Sequence, residues 1–188
     1  MELDTTYTYI NVPGLGGSGD RHWQTYWERA FTEIDRVEQS DWDHPDCETW
    51  VNQLHKTLLK HAGKSIVLIG HSLGCVTILH AAAANKLPGV VAVFLVAMPD
   101  VERADFPKEC SGFTPMPRIK LPFPSLMIAS ENDPYITSSD LKKWADIIGS
   151  NFISVGEREH IGTKANLGYW EEGQGLFKEF VLCLKLKT

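Results

Sequence analysis

The sequence predicts an α/β protein, in which helices cover both faces of a mainly parallel β-sheet. Short apolar runs alternate along the chain with longer segments in which apolar residues recur at every third or fourth position. This alternation is typical of parallel strands that are joined by crossover helices. We therefore expect residues 1–188 to form a single domain, a three-layer α/β/α sandwich around a sheet of about six strands.

Most of the predicted strands are continuous apolar runs, the pattern of strands that are buried on both faces of a sheet. Residues 36–40 are the weakest of them and are expected at an edge. The predicted strands are residues 7–12, 36–40, 65–69, 90–97, 125–129 and 152–155.

The predicted helices fill the intervals between these strands. Asp46 is the expected N-cap of the second helix, and Thr137 with Asp140 begins the fourth, which ends at Gly149. The predicted helices are residues 21–33, 47–61, 75–84, a segment from Thr137 to Gly149, and residues 175–184. Residues 100–122 are rich in proline and glycine and show no period, so we expect a long surface excursion. The sequence leaves open whether this excursion acts as a lid.

The composition excludes several classes of protein. A net charge of −6, with scattered Lys and Arg residues, argues against a nucleic-acid partner, because binding to phosphates requires clustered cations. The four cysteines lie far apart and form no Cys-x-x-Cys pair, so neither a zinc site nor a disulfide framework is expected. The N-terminus lacks the segments of a signal peptide, and no apolar run reaches the roughly 18 residues that span a membrane. We expect a cytoplasmic protein with no membrane partner.

Residues 70–74 read Gly-His-Ser-Leu-Gly and lie between a predicted buried strand and a predicted apolar helix. This context is typical of a nucleophile elbow, in which a sharp turn exposes a serine as a nucleophile. Glycines two residues to either side allow the strand and the helix to approach each other. Ser72 is therefore the predicted nucleophile, and His71 is expected to point away from it and to pack. The alternative is a glycine-flanked turn in which Ser72 caps a helix.

A serine nucleophile of this kind is followed along the chain by an acid and then by a histidine. His160 is the only histidine beyond the helix that follows the elbow, and it lies just after the last predicted strand. It is therefore the predicted general base. Asp133, which follows the strand at 125–129, is the favoured acid, with Asp100 and Glu131 as its competitors.

Acyl transfer also requires backbone N–H groups that stabilise an oxyanion. Leu73, the residue after the nucleophile, is expected to supply one of them. The glycine-rich loop at residues 13–17 follows the first predicted strand, and Leu15 or Gly16 is expected to supply the other. These glycines match the spacing of a nucleotide-binding loop only loosely, so no nucleotide is expected there. The predicted chemistry requires neither a metal nor an organic cofactor.

With these motifs in register, the chain resembles the small serine hydrolases of the α/β-hydrolase type that include retinoblastoma-binding protein 9 and its bacterial relatives. The resemblance rests on residues 13–17, His22-Trp23, Trp50, the elbow at 70–74, Ser-x-x-Asp-Pro at 130–134 and Gly-x-Trp-x-Glu-Gly at 168–173. It spans almost the whole chain and implies a compact core without a large cap and the hydrolysis of esters or amides. Two positions depart from the relatives. One is Glu159, where the relatives tend to have glycine, and the other is Lys164. Both departures bear on substrate preference, and neither removes a triad member.

The sequence thus predicts a serine hydrolase that cleaves small carboxylic esters, or amides, through an acyl-enzyme on Ser72. Trp23, Phe113 and Trp170 are the aromatic residues that we expect in an apolar wall of the substrate site. The alternative is a catalytically idle protein of the same fold that binds a protein partner, since one relative is named for such a partner.

Overall fold

The computed structural model describes residues 3–186, which contain a sheet of six strands. The strands follow the order β2-β1-β3-β4-β5-β6 across the sheet, and every pair of neighbours is parallel. The strands are β1 (Tyr7–Val12), β2 (Ile34–Arg36), β3 (Ser65–His71), β4 (Val90–Val96), β5 (Ser125–Ala129) and β6 (Asn151–Ser154). The predicted α/β class with a parallel six-stranded sheet is confirmed.

Five α-helices are found among the described residues, and a 3₁₀ turn at Thr163–Ala165 precedes the last of them. The helices are α1 (Trp23–Ala30), α2 (Cys47–Lys60), α3 (Leu73–Ala83), α4 (Ser138–Ile148) and α5 (Glu171–Lys185). Across residues 3–186, no helix combines the length and the apolar character needed to cross a membrane.

Strand β3 shows why the sheet is covered on both faces. Successive side chains of a strand point to opposite faces. Ile66 and Leu68 pack into a core with α2, α3 and α4, whereas Val67 and Ile69 pack into a second core with α1 and α5. All four side chains are fully buried. A continuous apolar run therefore forms a central strand between two layers of helices.

Two predicted elements are displaced. The edge strand is Ile34–Arg36 rather than 36–40, because these residues pair with Tyr9, Ile10 and Asn11 of β1. Helix α5 begins at Glu171 rather than at residue 175. A Cβ on Gly173 would lie 2.2 Å from the ring of Trp170, so packing requires this glycine within the first turn of the helix. Every other predicted element lies within three residues of its observed ends.

The excursion at residues 100–122 is anchored to the body of the protein. The side chains of Val101, Phe113 and Met116 are at most 3% exposed. Nε2 of His80 in α3 donates to the carbonyl oxygen of Phe113 at 3.0 Å. These contacts hold the excursion on both sides of residues 103–110. That segment reaches the edge of the sheet where the strands have their carboxyl ends.

Candidate active site

A sharp turn joins β3 to α3, and Ser72 lies at its apex. Its backbone angles are φ 53° and ψ −127°, which a non-glycine residue adopts only where its surroundings hold it. Its N–H donates to the carbonyl of Val96 at 3.0 Å. A Cβ on Gly74 would lie 2.0 Å from the carbonyl oxygen of Val12, so only glycine allows the helix to lie this close to β1. This is the geometry of a nucleophile elbow.

The sheet brings three separated residues to one edge. Ser72 follows β3, Asp133 follows β5 and His160 follows β6. Since all strands are parallel, their carboxyl ends lie at the same edge of the sheet, where α/β proteins place their ligand sites.

The side chains of Ser72, Asp133 and His160 form one hydrogen-bonded line. Nδ1 of His160 lies 2.8 Å from Oδ2 and 3.0 Å from Oδ1 of Asp133, and Nε2 lies 2.7 Å from Oγ of Ser72. Because a carboxylate only accepts hydrogen bonds, the neutral imidazole carries its proton on Nδ1, and Nε2 accepts from the Ser72 hydroxyl. The Asp133 side chain is 1% exposed and that of His160 is 17% exposed. The N–H of Tyr135 also donates to Asp133, at 2.9 Å.

The two competing carboxylates have other partners. Oδ1 of Asp100 accepts the N–H of Glu102 at 2.9 Å, and Glu131 accepts the hydroxyl of Ser154 at 3.2 Å. Neither is hydrogen-bonded to His160 within the described part of the chain.

Two of the three candidate oxyanion donors are free. The N–H groups of Leu73 and Leu15 have no hydrogen-bond partner among residues 3–186, and both residues line the cleft at Ser72. The N–H of Gly16 donates to the carbonyl oxygen of Trp42 at 3.0 Å. Gly16 is therefore occupied, and the structure removes it from the candidate donors.

Gly14 is a site residue that the sequence analysis missed. A Cβ at this position would lie 2.8 Å from Cβ of Ser72 and 3.1 Å from the backbone nitrogen of Leu73. Its lack of a side chain is what allows the glycine-rich loop to lie against the elbow. No sequence signal separates it from the other glycines of the loop.

A cleft of about 540 Å³ opens over Ser72 and His160. Its lining is mainly apolar and includes Phe106 of the excursion. Leu15 and Tyr135 line the cleft as well, and each is 43% exposed. The cleft is thus mainly apolar and ends at the hydrogen-bonded side chains of Ser72 and His160.

Charged side chains surround this apolar space. Arg103 is ion-paired with Asp105 and donates to the carbonyl oxygen of Pro134 at 2.6 Å. Glu159 and Lys164 also line the cleft, and neither has an ion-pair partner among residues 3–186. Both charged side chains are therefore accessible from the cleft.

The three aromatic residues predicted in the substrate wall lie elsewhere, and this expectation is corrected. Trp23 and Trp170 are 1% and 3% exposed, and their ring centroids lie 5.1 Å apart in the core between the sheet, α1 and α5. Phe113 is 1% exposed in the opposite core. None of the three lines the cleft. The aromatic residues that do line it, Phe106 and Tyr135, lie in irregular segments where no period marks them.

Two further histidines are buried beside His160. The ring centroid of His71 lies 5.2 Å from that of His160 and 4.5 Å from that of His22. Burial lowers the pKa of His22 to about 3, and burial also holds the pKa of His71 well below its usual value. Both rings are therefore neutral near pH 7. Within residues 3–186, no group of three or more histidine, cysteine or carboxylate residues is placed to hold a metal ion.

A parallel sheet with a serine on an elbow, aligned with a histidine and a carboxylate from later strands, defines the class of α/β hydrolases. The chain belongs to the family described as "Serine hydrolase", because the model of that family matches residues 9–179.

Solved structures agree with this assignment. A protein described as a YdeN-like hydrolase, from Pectobacterium atrosepticum, is 32% identical with a TM-score of 0.83 over 95% of this chain and 92% of that chain. The ydeN gene product of B. subtilis is 17% identical, with a TM-score of 0.69 over 93% and 98% of the two chains. A thermophilic esterase from Thermogutta terrifontis is 14% identical, with a TM-score of 0.69 over 95% and 90%. The last two show the fold alone. No curated protein matches the sequence, and the relationship to retinoblastoma-binding protein 9 stays a prediction.

Proposed function

We propose that the protein hydrolyses small carboxylic esters, with Ser72 as nucleophile, His160 as general base and Asp133 as the acid of the triad. One observation carries the proposal: Nε2 of His160 lies 2.7 Å from Oγ of Ser72 while its Nδ1 lies 2.8 Å from Asp133. A general base must lie within hydrogen-bonding distance of the proton that it removes, and this one does.

The reaction would proceed in two stages. Oγ of Ser72 attacks the carbonyl carbon of the ester while its proton moves to Nε2 of His160. Asp133 fixes the Nδ1–H tautomer and stabilises the imidazolium that forms. The N–H groups of Leu73 and Leu15 stabilise the oxyanion, and the N-terminus of α3 favours the same negative charge. The imidazolium then protonates the leaving alkoxide, and His160 activates a water that hydrolyses the acyl-enzyme.

The cleft supports a small apolar acyl group. Its volume of about 540 Å³ lies within the ordinary range of small-molecule sites. Phe106 and Tyr135 give it aromatic surface. Amides are the second substrate class that the same groups serve. A cytoplasmic location and independence from cofactors stay predictions.

Labelling with a fluorophosphonate tests the nucleophile without knowledge of the substrate. We expect the wild type to be labelled and Ser72→Ala to be unlabelled. Ser139→Ala, on the exposed surface of α4, is the matched control and should be labelled like the wild type.

A panel of p-nitrophenyl esters and aminoacyl amides then tests the reaction. We expect ester hydrolysis that falls with increasing acyl length and that disappears in Ser72→Ala. Equal rates for the wild type and Ser72→Ala, together with no labelling, would contradict the proposal. That result would leave the alternative of an idle protein of this fold that binds a protein partner.

A further inference from the structure

The loop that carries His160 has an unusual backbone. Glu159 and Ile161, the residues on either side, have φ angles of 46° and 49°. Left-handed angles are uncommon for any residue with a side chain, and for a β-branched residue such as Ile161 they are a genuine outlier. Such a conformation persists only where the surrounding structure holds it.

Two buried side chains bind consecutive carbonyl groups of this loop. Nε2 of His71 lies 3.0 Å from the carbonyl oxygen of His160, and Nε1 of Trp23 lies 2.8 Å from the carbonyl oxygen of Ile161. A carbonyl only accepts hydrogen bonds, so both ring nitrogens are donors. Trp23 is 1% exposed and His71 is 5% exposed. Water therefore cannot readily replace either bond.

The two donors are themselves firmly held. His71 is the last residue of β3 and directly precedes Ser72, so its bond ties the histidine loop to the elbow. Trp23 is the first residue of α1, and its ring packs against Trp27 at 4.7 Å and Trp170 at 5.1 Å. Burial keeps the His71 ring neutral, with its single proton on the nitrogen that faces the loop.

A third bond holds the loop from the side of the acid. The side-chain oxygen of Asn132, the residue before Asp133, accepts the N–H of Glu159 at 2.7 Å. The peptide groups around His160 are thus bound from the elbow, from α1 and from the acid turn. These bonds leave the imidazole little freedom to move away from Ser72.

We propose that Trp23 and His71 are positioning residues for His160: their N–H groups hold the loop so that the imidazole stays between Ser72 and Asp133. The inference rests on the proposed role of His160 as the general base. Neither residue touches the reacting atoms in this scheme. Because a displacement of about 1 Å can cost roughly 100-fold in rate, loss of one donor should be visible in kcat.

The first test removes one N–H group and keeps an aromatic ring. Trp23→Phe deletes the donor to Ile161, and Trp27→Phe is the matched control. Trp27 lies one turn along α1, is fully buried, and donates through Nε1 to the carbonyl of Tyr169 at 2.8 Å, away from the histidine loop. We expect kcat on p-nitrophenyl acetate to fall about 10- to 100-fold in Trp23→Phe, with KM within about twofold. Trp27→Phe should keep the kcat of the wild type.

The second test compares two replacements of His71 of similar length. His71→Gln retains an N–H donor at the end of the side chain, whereas His71→Met does not. We expect His71→Met to lose kcat about 10- to 100-fold and His71→Gln to recover most of it. A general loss of stability would affect both variants and would not produce this difference.

A spectroscopic measurement makes the test independent of activity. The Nδ1–H of His160, hydrogen-bonded to a carboxylate, should give a proton resonance far downfield in the NMR spectrum. This resonance should shift or broaden in Trp23→Phe and in His71→Met, and it should persist in Trp27→Phe. If fluorophosphonate did not label the wild type, the proposed function would be wrong, but this resonance could still be compared between the wild type and the variants. A labelled, active wild type in which Trp23→Phe and His71→Met keep both kcat and the resonance would overturn the positioning role alone.

Discussion

The strained backbone at Ser72 predicts that the folded protein is more stable with glycine than with alanine at this position. With φ 53° and ψ −127°, this position favours glycine over any residue with a Cβ. Ser72 makes no side-chain hydrogen bond to the N-terminus of α3. Replacement by alanine or by glycine therefore loses the same bond, the one to His160, and the two variants differ only in the Cβ.

Two opposing contributions set the expected difference in unfolding free energy between Ser72→Gly and Ser72→Ala. Backbone strain of this kind costs about 1–3 kcal/mol for a non-glycine residue. Replacing alanine by glycine relieves this strain. Glycine also has more conformational freedom in the unfolded chain, and this offsets about 0.5–1 kcal/mol of the gain in stability. We therefore expect the free energy of unfolding of Ser72→Gly to exceed that of Ser72→Ala by about 0.5–2 kcal/mol. Both variants should be inactive.

Urea denaturation followed by tryptophan fluorescence measures this difference. With an m value of about 2 kcal/mol/M, the midpoint of Ser72→Gly should lie roughly 0.3–1 M above that of Ser72→Ala. The control is the pair Lys56→Ala and Lys56→Gly, at an exposed position inside α2, where glycine should be the less stable by about 1 kcal/mol. If glycine were also the less stable residue at position 72, the elbow would store no backbone strain.

Three further predictions concern the site. Gly14→Ala places a Cβ 2.8 Å from Cβ of the elbow serine, so we expect kcat for ester hydrolysis to fall about 100-fold while circular dichroism stays unchanged. Asp133→Asn should lower kcat by about 10³- to 10⁴-fold in steady-state assays, because the amide no longer fixes the tautomer of the base, and Glu131→Gln should change kcat less than twofold. The pKa of His22 in the folded state, about 3, lies below the value of 6.5 expected when unfolded, and that of His71 is lowered in the same direction. The unfolded state therefore binds more protons as the pH falls below 6.5. His22 should then remove up to about 1.4 kcal/mol of unfolding free energy per pH unit, and His71 should act in the same direction. Between pH 7.5 and 5, the urea midpoint should fall less steeply with decreasing pH in His22→Asn than in the wild type. An equal slope would contradict the lowered pKa of His22.

The meeting of the three residues of the proposed triad could be predicted because each one follows a strand that the sequence marks clearly. Strands β3 and β5 are short apolar runs, and polar residues come directly after them. In a parallel sheet, such residues meet at one edge whatever their separation in the chain. Position relative to the strands therefore carried enough information to place Ser72, Asp133 and His160 together, although 88 residues separate the first from the last.

The wall of the cleft could not be predicted, because it depends on contacts that leave no local pattern. Trp23 and Trp170 are large aromatic residues, but periodicity cannot distinguish a core side chain from one that faces a ligand. Phe106 reaches the cleft through an excursion with no period at all. The loss of Gly16 as a donor depends on a hydrogen bond to Trp42, a residue in a separate loop. Each of these features is decided by tertiary structure.

Glu159 lies in a backbone conformation that favours glycine. Its φ of 46° is one that glycine adopts without cost and that a residue with a side chain adopts only rarely. The N–H groups of Trp23 and His71 donate to this loop, and Asn132 accepts the N–H of Glu159, so the loop is held in this conformation with a side chain present. Glu159 thus adds a carboxylate to the lining of the cleft, while the imidazole of His160 beside it is hydrogen-bonded to Ser72 and Asp133. We therefore expect substrate preference and the geometry of the proposed triad to be set separately, at neighbouring positions of one loop.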